Sequence, residues 1–316
     1  MRRPFSVIQN VFPLVGRHGI CDTTFLYYLT KGRVWLEEYK GHYPDYRRKY
    51  VAVPPLTEQR AIASILNAFD AKIESNRKMS ETLEATAQAL FKSWFVDFDP
   101  VHTKSEGRET DLADHVASLF PSTFDRSVNG PIPTGWTMKP LAAVASIVGG
   151  KQLPTVDCRD FGTFPVFGAN GIMGYTDAAT HTAFVIAFGR VGANCGSVNW
   201  SGNGAWINNN ATAVVPWSWG WLVLQAMLAF DFTQLRTGSA QPFIPNSSLA
   251  SVPILVPTDA VARAFCDFVE PIRRRQHLCM AESATLGDIR DLLLPQLISG
   301  ELRVPDAAAV VAGAPA

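Results

Sequence analysis

The clearest pattern in the chain is a run of apolar or small positions at Leu66, Phe69, Ile73, Asn76, Ser80, Leu83, Ala87, Leu90 and Trp94. The spacing alternates 3, 4, 3, 4, which is a heptad seam with polar Asn76 and Ser80 in its middle. It predicts one long helix entered after Pro54 and Pro55, with Thr57 as N-cap and Pro100 closing the segment. A second helix is predicted after Pro257, capped by Thr258 or Asp259. Shifting the first helix by 203 residues reproduces the seam: Leu66 falls on Val269, Phe69 on Ile272, Asn76 on Cys279 and Ser80 on Ser283. Leu83 falls on Leu286, Leu90 on Leu293 and Trp94 on Leu297. The entries VAVPPLTE and ILVPTDAV also correspond, so the chain carries an internal repeat. Pro271 is expected to kink or break the second helix near its start, and Pro295 lies near its end.

Each helix has a similar lead-in, FLYYL from Phe25 and WLVLQAML from Trp221. The second copy has a full domain in front of it and the first only 54 residues, so the expectation is that an N-terminal domain is largely absent. The predicted organisation is a remnant of that first domain (1–54), a spacer helix (55–98), a polar linker (99–130), an intact domain (131–256), a second spacer helix (257–303) and a disordered tail (304–316). The linker contains KSEGRETD and SVNG, which read as exposed connection. The intact domain mixes β-rich runs (FVIAF from Phe184, TAVVP from Thr212), Gly/Asn turns and one apolar helix near 219–230. The fold class expected is α+β: a mixed α/β domain with long antiparallel, coiled-coil-like spacer helices.

Charge adds a qualification. Net formal charge is zero, which argues mildly against nucleic acid as a partner, but its distribution is uneven. Residues 1–60 hold ten Lys/Arg against five Asp/Glu; residues 131–256 hold five against four, with six of the eight Trp. A neutral, amide-rich, aromatic domain can read bases by hydrogen bonding while gaining little from phosphates. The five cysteines (Cys21, Cys158, Cys195, Cys266, Cys279) form no CxxC and read as reduced and structural. No apolar run reaches the ~18 residues of a membrane span. No signal-peptide core follows the first residues, so a cytoplasmic chain without membrane contact is expected.

Several strings resemble, in order, the specificity subunits of type I restriction-modification systems. PPLTEQRAIASILNAFDAKIE and ALFKSWFVDFDPVHTKSEGR are similar to that family's central conserved region, and PIPTGWTMKPLAAVASI to the opening of a recognition domain. FPVFGANGIMGYTD, VIAFGRVGANCGSV, WINNNATAVVP and LRTGSAQPFIPNSSLASVPILVP are similar to that domain's interior. The resemblance covers roughly residues 20–303. It implies target-recognition domains that each read half of a bipartite site on double-stranded DNA, held apart by paired antiparallel helices. It implies modification (methylase) subunits docked on the helices and restriction subunits that translocate and cleave. S-adenosylmethionine, ATP and Mg are then expected on those partners, with no cofactor, metal or catalytic residue on this chain. Thirty-three residues from Ile62 to Trp94 make a spacer of about 50 Å, or roughly 15 base pairs.

Enzymatic alternatives find little support. The Asn-Pro-Pro-aromatic motif of an adenine methylase is lacking at Pro54-Pro55, GGKQ at Gly149 fails as a P-loop, and PDYRRK from Pro44 is a fragment of a nuclease pattern. The rival reading is a truncated, non-functional or recombination-reservoir subunit that binds modification subunits without reading a full target. Self-association is the further partner expectation, through apolar surface left uncovered at Phe25, Leu26, Tyr27 and Tyr28. Candidate DNA-binding residues are Lys151, Arg159, Asn170, Arg190, Asn194, Asn208, Asn209, Asn210, Arg236 and Gln241. Asn and Gln can pair bidentately with adenine and Arg with guanine, although each can also cap a turn or hold a phosphate. The glycines around Asn170 read as turn scaffold, Trp217, Trp219 and Trp221 as core, and Arg273–Arg275 as either a solvated face or a contact to DNA or an acidic partner.

Overall fold

The computed structural model describes residues 13–31, 50, 53–127, 130–238 and 241–304. The Pro44 string and the tail beyond 304 lie outside them. The elements are α1 (Thr23–Thr30), α2 (Leu56–Phe95), α3 (Asp99–Ser105) and α4 (Asp114–Ala117), then β1 (Phe124–Ser127), β2 (Gly130–Pro133), β3 (Thr137–Pro140) and β4 (Ala145–Gly149). There follow β5 (Phe164–Gly168), β6 (Gly171–Thr176), β7 (Val185–Gly189), β8 (Val198–Ser201), β9 (Trp206–Ile207) and β10 (Ala211–Pro216). The chain ends with α5 (Gly220–Ala229), α6 (Asn246–Ala250), β11 (Pro253–Val256) and α7 (Asp259–Ser299). The fold is α+β. It divides into two compact units: Met1–Thr82 with Arg275–Ala316, and Leu83–Arg274.

All nine seam positions of α2 are buried or half-buried, and so are the nine positions of α7 reached by the 203-residue shift. The heptad reading therefore identifies the packed face of both helices. Pro271 does not break α7, which runs unbroken from Asp259 to Ser299. The carbonyl that Pro271 deprives of its donor belongs to Asp267, and both residues are exposed, so water can replace the lost bond.

The first unit is helical. α1 is capped by Asp22, whose carboxylate accepts from the N–H groups of Thr24 and Phe25. Phe25, Tyr28 and Leu29 pack with Ile62, Leu66 and Phe69 of α2 and Leu293 and Leu297 of α7. Gln59 is fully buried and fully used: it accepts from the Asp22 N–H at 2.8 Å and donates to the carbonyls of Ile20 (2.9 Å) and Pro54 (2.7 Å). Here α2 and α7 run antiparallel. Asp70 pairs with Arg290, Asn76 donates to Glu282 at 2.8 Å, and Gln276 donates to the Ser80 carbonyl at 3.4 Å. Moving forward on one helix thus moves backward on the other. The polar seam residue Asn76 is satisfied across the pair, the condition for tolerating it in a seam. Burial pushes the Asp70 carboxyl up, but the hydrogen bonds from Tyr28 and Arg290 outweigh it, and the net shift is downward. Phe25 and Tyr28 are buried and only Tyr27 of the four residues expected to be uncovered is exposed, because α1 docks on the helix pair.

In the second unit α2 and α7 are again antiparallel, joined by Glu84 and Arg273. Trp94, Phe95 and Phe91 form an aromatic cluster with Phe265 of α7, Phe120 and Trp136. The segment expected as open connection is only partly so. KSEGRE is exposed apart from half-buried Lys104, but α3, which takes in its first two residues, and α4 beyond it bury Val101 and Val116 in that cluster. Four strands pair antiparallel in the order β4-β10-β7-β8, three in the order β6-β5-β9, with β5 and β9 parallel, and β1–β2 and β3–β11 form antiparallel pairs. Alternation along β7 divides its side chains. Ile186 and Phe188 face Val223, Leu224 and Met227 of α5, whereas Val185 and Ala187 face Phe167 and Ile207 of the three-stranded sheet. Both faces are covered, which explains why FVIAF reads as an unbroken apolar run.

Arg273 is neither a solvated nor a DNA-facing cation. It is 1% exposed and both Nη groups donate to the Glu84 carboxylate, while Arg274 and Arg275 are exposed. Trp219 and Trp221 pack against the core as expected; Trp217 is exposed. All five cysteines are free thiols, and burial pushes Cys266 up. Among the described residues no helix is long and apolar enough to cross a membrane.

Candidate nucleic-acid interface

The strand registers of the second unit bring four chain segments to one end of its sheets. Gly149 at the end of β4 pairs with Thr212 near the start of β10, and Gly189 at the end of β7 pairs with Ala211. β5 ends at Gly168 opposite Gly171, the start of β6, and β9 runs parallel to β5 with Ile207 beside Phe167. The loops leaving these ends, 150–153, 169–170, 190–197 and 208–210, therefore meet, and the 236–244 loop joins them by pairing with Arg190, Val191 and Gly192.

Backbone contacts lock them together. Lys151 N–H donates to the Ile207 carbonyl (2.9 Å), Arg190 N–H to Asn210 (3.2 Å), Ile244 N–H to Arg190 (2.9 Å) and Gly192 N–H to Pro242 (2.8 Å). Two glycines permit the close approach. A Cβ at Gly150 would lie 2.0 Å from the Asn208 oxygen, and one at Gly189 would lie 2.1 Å from the Ala169 oxygen. The Ser197 hydroxyl ties the turn further, donating to the Ala169 carbonyl at 2.7 Å.

Nine of the ten candidate residues sit on these loops. Lys151, Asn170, Asn194, Asn209, Asn210, Arg236 and Gln241 are exposed and Arg190 is half-buried. Asn208 is buried and spends its side chain locally, its Oδ1 accepting from the Asn209 N–H at 2.7 Å and its Nδ2 donating to Met173 Sδ at 3.7 Å. Arg190 Nε donates to the Asn209 carbonyl at 3.3 Å, which braces the guanidinium across the turn. Arg236 donates through Nε and Nη2 to the Cys195 carbonyl at 3.1 and 2.8 Å, so much of its donor capacity shapes the loop. Lys151 forms no salt bridge among the described residues, and burial together with its ammonium lowers the pKa of nearby His181.

Arg159 is not with the others. It bridges Tyr175, four residues along β6 from Gly171 and about 13 Å away at strand spacing. Its guanidinium pairs with Asp177 at 2.7 Å. Asp177 is held low chiefly by the Thr163 hydroxyl and N–H, then by Arg159.

Residues 149–153, 168–172, 189–199, 206–211 and 236–248 contain no Asp or Glu and three cations, Lys151, Arg190 and Arg236. A face of amides and guanidinium groups without carboxylates suits hydrogen bonding to a polyanion's base edges, with few phosphate contacts. Two exposed apolar residues of this face are not singled out by the sequence reading. Phe243 is 43% exposed and bridges Val191 and Thr237; Met173 is 56% exposed beside Asn208. Alternating polarity hides both, since neither belongs to a regular pattern. Among the described residues no three His, Cys, Asp or Glu side chains cluster as metal ligands would.

No family model matches the chain. It is similar to the type I restriction enzyme HindI specificity subunit of Haemophilus influenzae, 26% identical over 318 aligned positions, covering 79% of this chain and 68% of the relative. It is also similar to the type I restriction enzyme MjaIX specificity subunit of Methanocaldococcus jannaschii, 22% identical, covering 96% of this chain and 74% of the relative. The fold is that of the crystal structure of a type I restriction-modification system S subunit from M. genitalium, with a TM-score of 0.56 at 16% identity, covering 87% of this chain and 72% of that one. The two sequence similarities, the shared fold and the repeated spacer helices agree: the chain is similar to the specificity subunits of type I restriction enzymes.

Proposed function

We propose that this chain is the DNA-reading, non-catalytic component of a type I restriction-modification complex, and that it directs adenine methylation and restriction carried out by partner subunits. The observation that carries the reading is the acid-free loop face of the second unit, where five loops converge and nine candidate residues gather. The geometry supports readout by hydrogen bonds from amide and guanidinium groups, with Asn209, Arg190 and Gln241 toward base edges and Lys151 toward a phosphate. The helix pairs are the docking elements for modification subunits, and restriction subunits complete the assembly. Support for the partners comes from the family, whose members are named as subunits of restriction enzymes.

The test is single substitution in a complex reconstituted with the methylase subunits. Arg190→Ala, Asn209→Ala or Gln241→Ala is expected to cost about 1–3 kcal/mol of discrimination and to relax preference at one base position. Lys151→Ala is expected to weaken all sequences alike and to reduce the salt slope by about 1. Titration of matched and mismatched duplexes at several salt concentrations separates the two behaviours. If the three amide and guanidinium variants all keep parental affinity and preference, these residues do not read bases.

A further inference from the structure

We infer that Met173 reads the 5-methyl group of a thymine in the recognised site, an apolar contact beside the hydrogen-bonding groups of the face. This inference rests on the DNA-reading function proposed above. Three features hold the side chain in place. First, the β5–β6 register shifts between Val166 and Phe167: Val166 pairs with Gly174 and Phe167 with Ile172, which leaves Met173 as the extra, unpaired residue of a bulge. A bulge turns one side chain away from the regular alternation, and Met173 follows exposed Ile172 on the same exposed surface rather than alternating inward. Second, Gly168, against which the Met173 side chain lies, has no side chain. A Cβ there would lie 2.3 Å from Met173 Sδ, so the glycine makes the space in which the thioether lies. Third, Asn208 Nδ2 donates to the sulfur at 3.7 Å, tying Met173 to the turn that carries Asn209 and Asn210.

The thioether is thereby fixed yet 56% exposed. An apolar group held in water gains only by covering another apolar group. On the major-groove edges of the four base pairs the thymine methyl is the one apolar group, and every other feature is a donor or an acceptor. The exposed thioether is thus matched to the one apolar group that the groove offers.

The experiment uses the full chain assembled with its methylase subunits and a duplex bearing the mapped target. Thymines are replaced one at a time by deoxyuridine, which lacks only the methyl group. One replacement is expected to weaken binding by the parent protein about fourfold, the value of one buried methyl. Met173→Ala is expected to bind the thymine duplex about fourfold more weakly and to be indifferent to that same replacement. Because the deoxyuridine measurement on the parent needs no variant, it stands even if Met173→Ala folds poorly. The inference is overturned if no replacement weakens the parent, if Met173→Ala keeps the full deoxyuridine penalty, or if the half-site read by this unit contains no thymine. In each of those cases sequence-specific binding persists and the proposed function stands. A complex that prefers no sequence overturns both.

Discussion

Replacing Trp94 by alanine is expected to destabilise the second unit by about 3–5 kcal/mol, the range for emptying a large aromatic site in a core. Trp94 is 1% exposed and makes edge or tilted contacts with Phe120 (4.9 Å between ring centroids), Phe268 (5.8 Å), Phe265 (5.9 Å) and Phe95 (6.1 Å). Its neighbours come from α2, from α7 and from the stretch before β1, so no single element can move to fill the void. The transition of this unit should fall by roughly 6–20 °C in a thermal melt. A melt unchanged from the parent would mean that Trp94 is not the hub on which these elements meet.

The second large effect is electrostatic and asymmetric. Glu84→Leu leaves the Arg273 guanidinium in the interior without its carboxylate, and breaking a buried pair in this way costs about 3–5 kcal/mol. Arg273→Leu should cost less. The side chain that remains, Glu84, is 28% exposed and can turn to water, whereas Arg273 at 1% cannot. The double replacement by leucine should recover most of the loss, because two apolar groups then share the space. Urea titration of the two single variants and the double variant measures the cycle. Equal losses in the two single variants would show that burial does not set the cost.

What was legible in the sequence was periodic. The 3, 4 spacing from Leu66 to Trp94 and its echo 203 residues later mark the packed faces of α2 and α7, since a helix buries whichever stripe its period supplies. FVIAF and TAVVP are strands because both faces of β7 and β10 are covered. What was not legible depends on tertiary context. Arg273 lies in a basic triplet that looks solvated, and only the antiparallel approach of α2 brings Glu84 to it. Val101, Val116 and Phe120 are isolated apolar residues in a polar stretch, and nothing local says that an aromatic cluster waits for them. Pro271 looked like a break, but a proline on the wet side of a helix costs one hydrogen bond that water can make.

The candidate site divides in the same way. Residue type alone selected Lys151, Asn170, Arg190, Asn194, Asn209, Asn210, Arg236 and Gln241, and the strand registers together with the backbone bonds between loops bring these together. Residue type could not tell Asn208, which shapes its own turn, from Asn209 beside it. Nor could it place Arg159 at the far end of β6, where Asp177 neutralises it. Met173 was missed because a bulge leaves no mark in a two-residue alternation.

In the function proposed above, sequence choice resides in the loop face of the second unit. It is tested most directly by mapping adenine methylation across the DNA of cells that express this chain with its methylase subunits. The expected result is a defined motif that disappears without this chain and loses discrimination at one position in Arg190→Ala. It is contradicted if the motif is methylated without the chain, or if it stays unchanged when Arg190, Asn209 and Gln241 are all replaced by alanine.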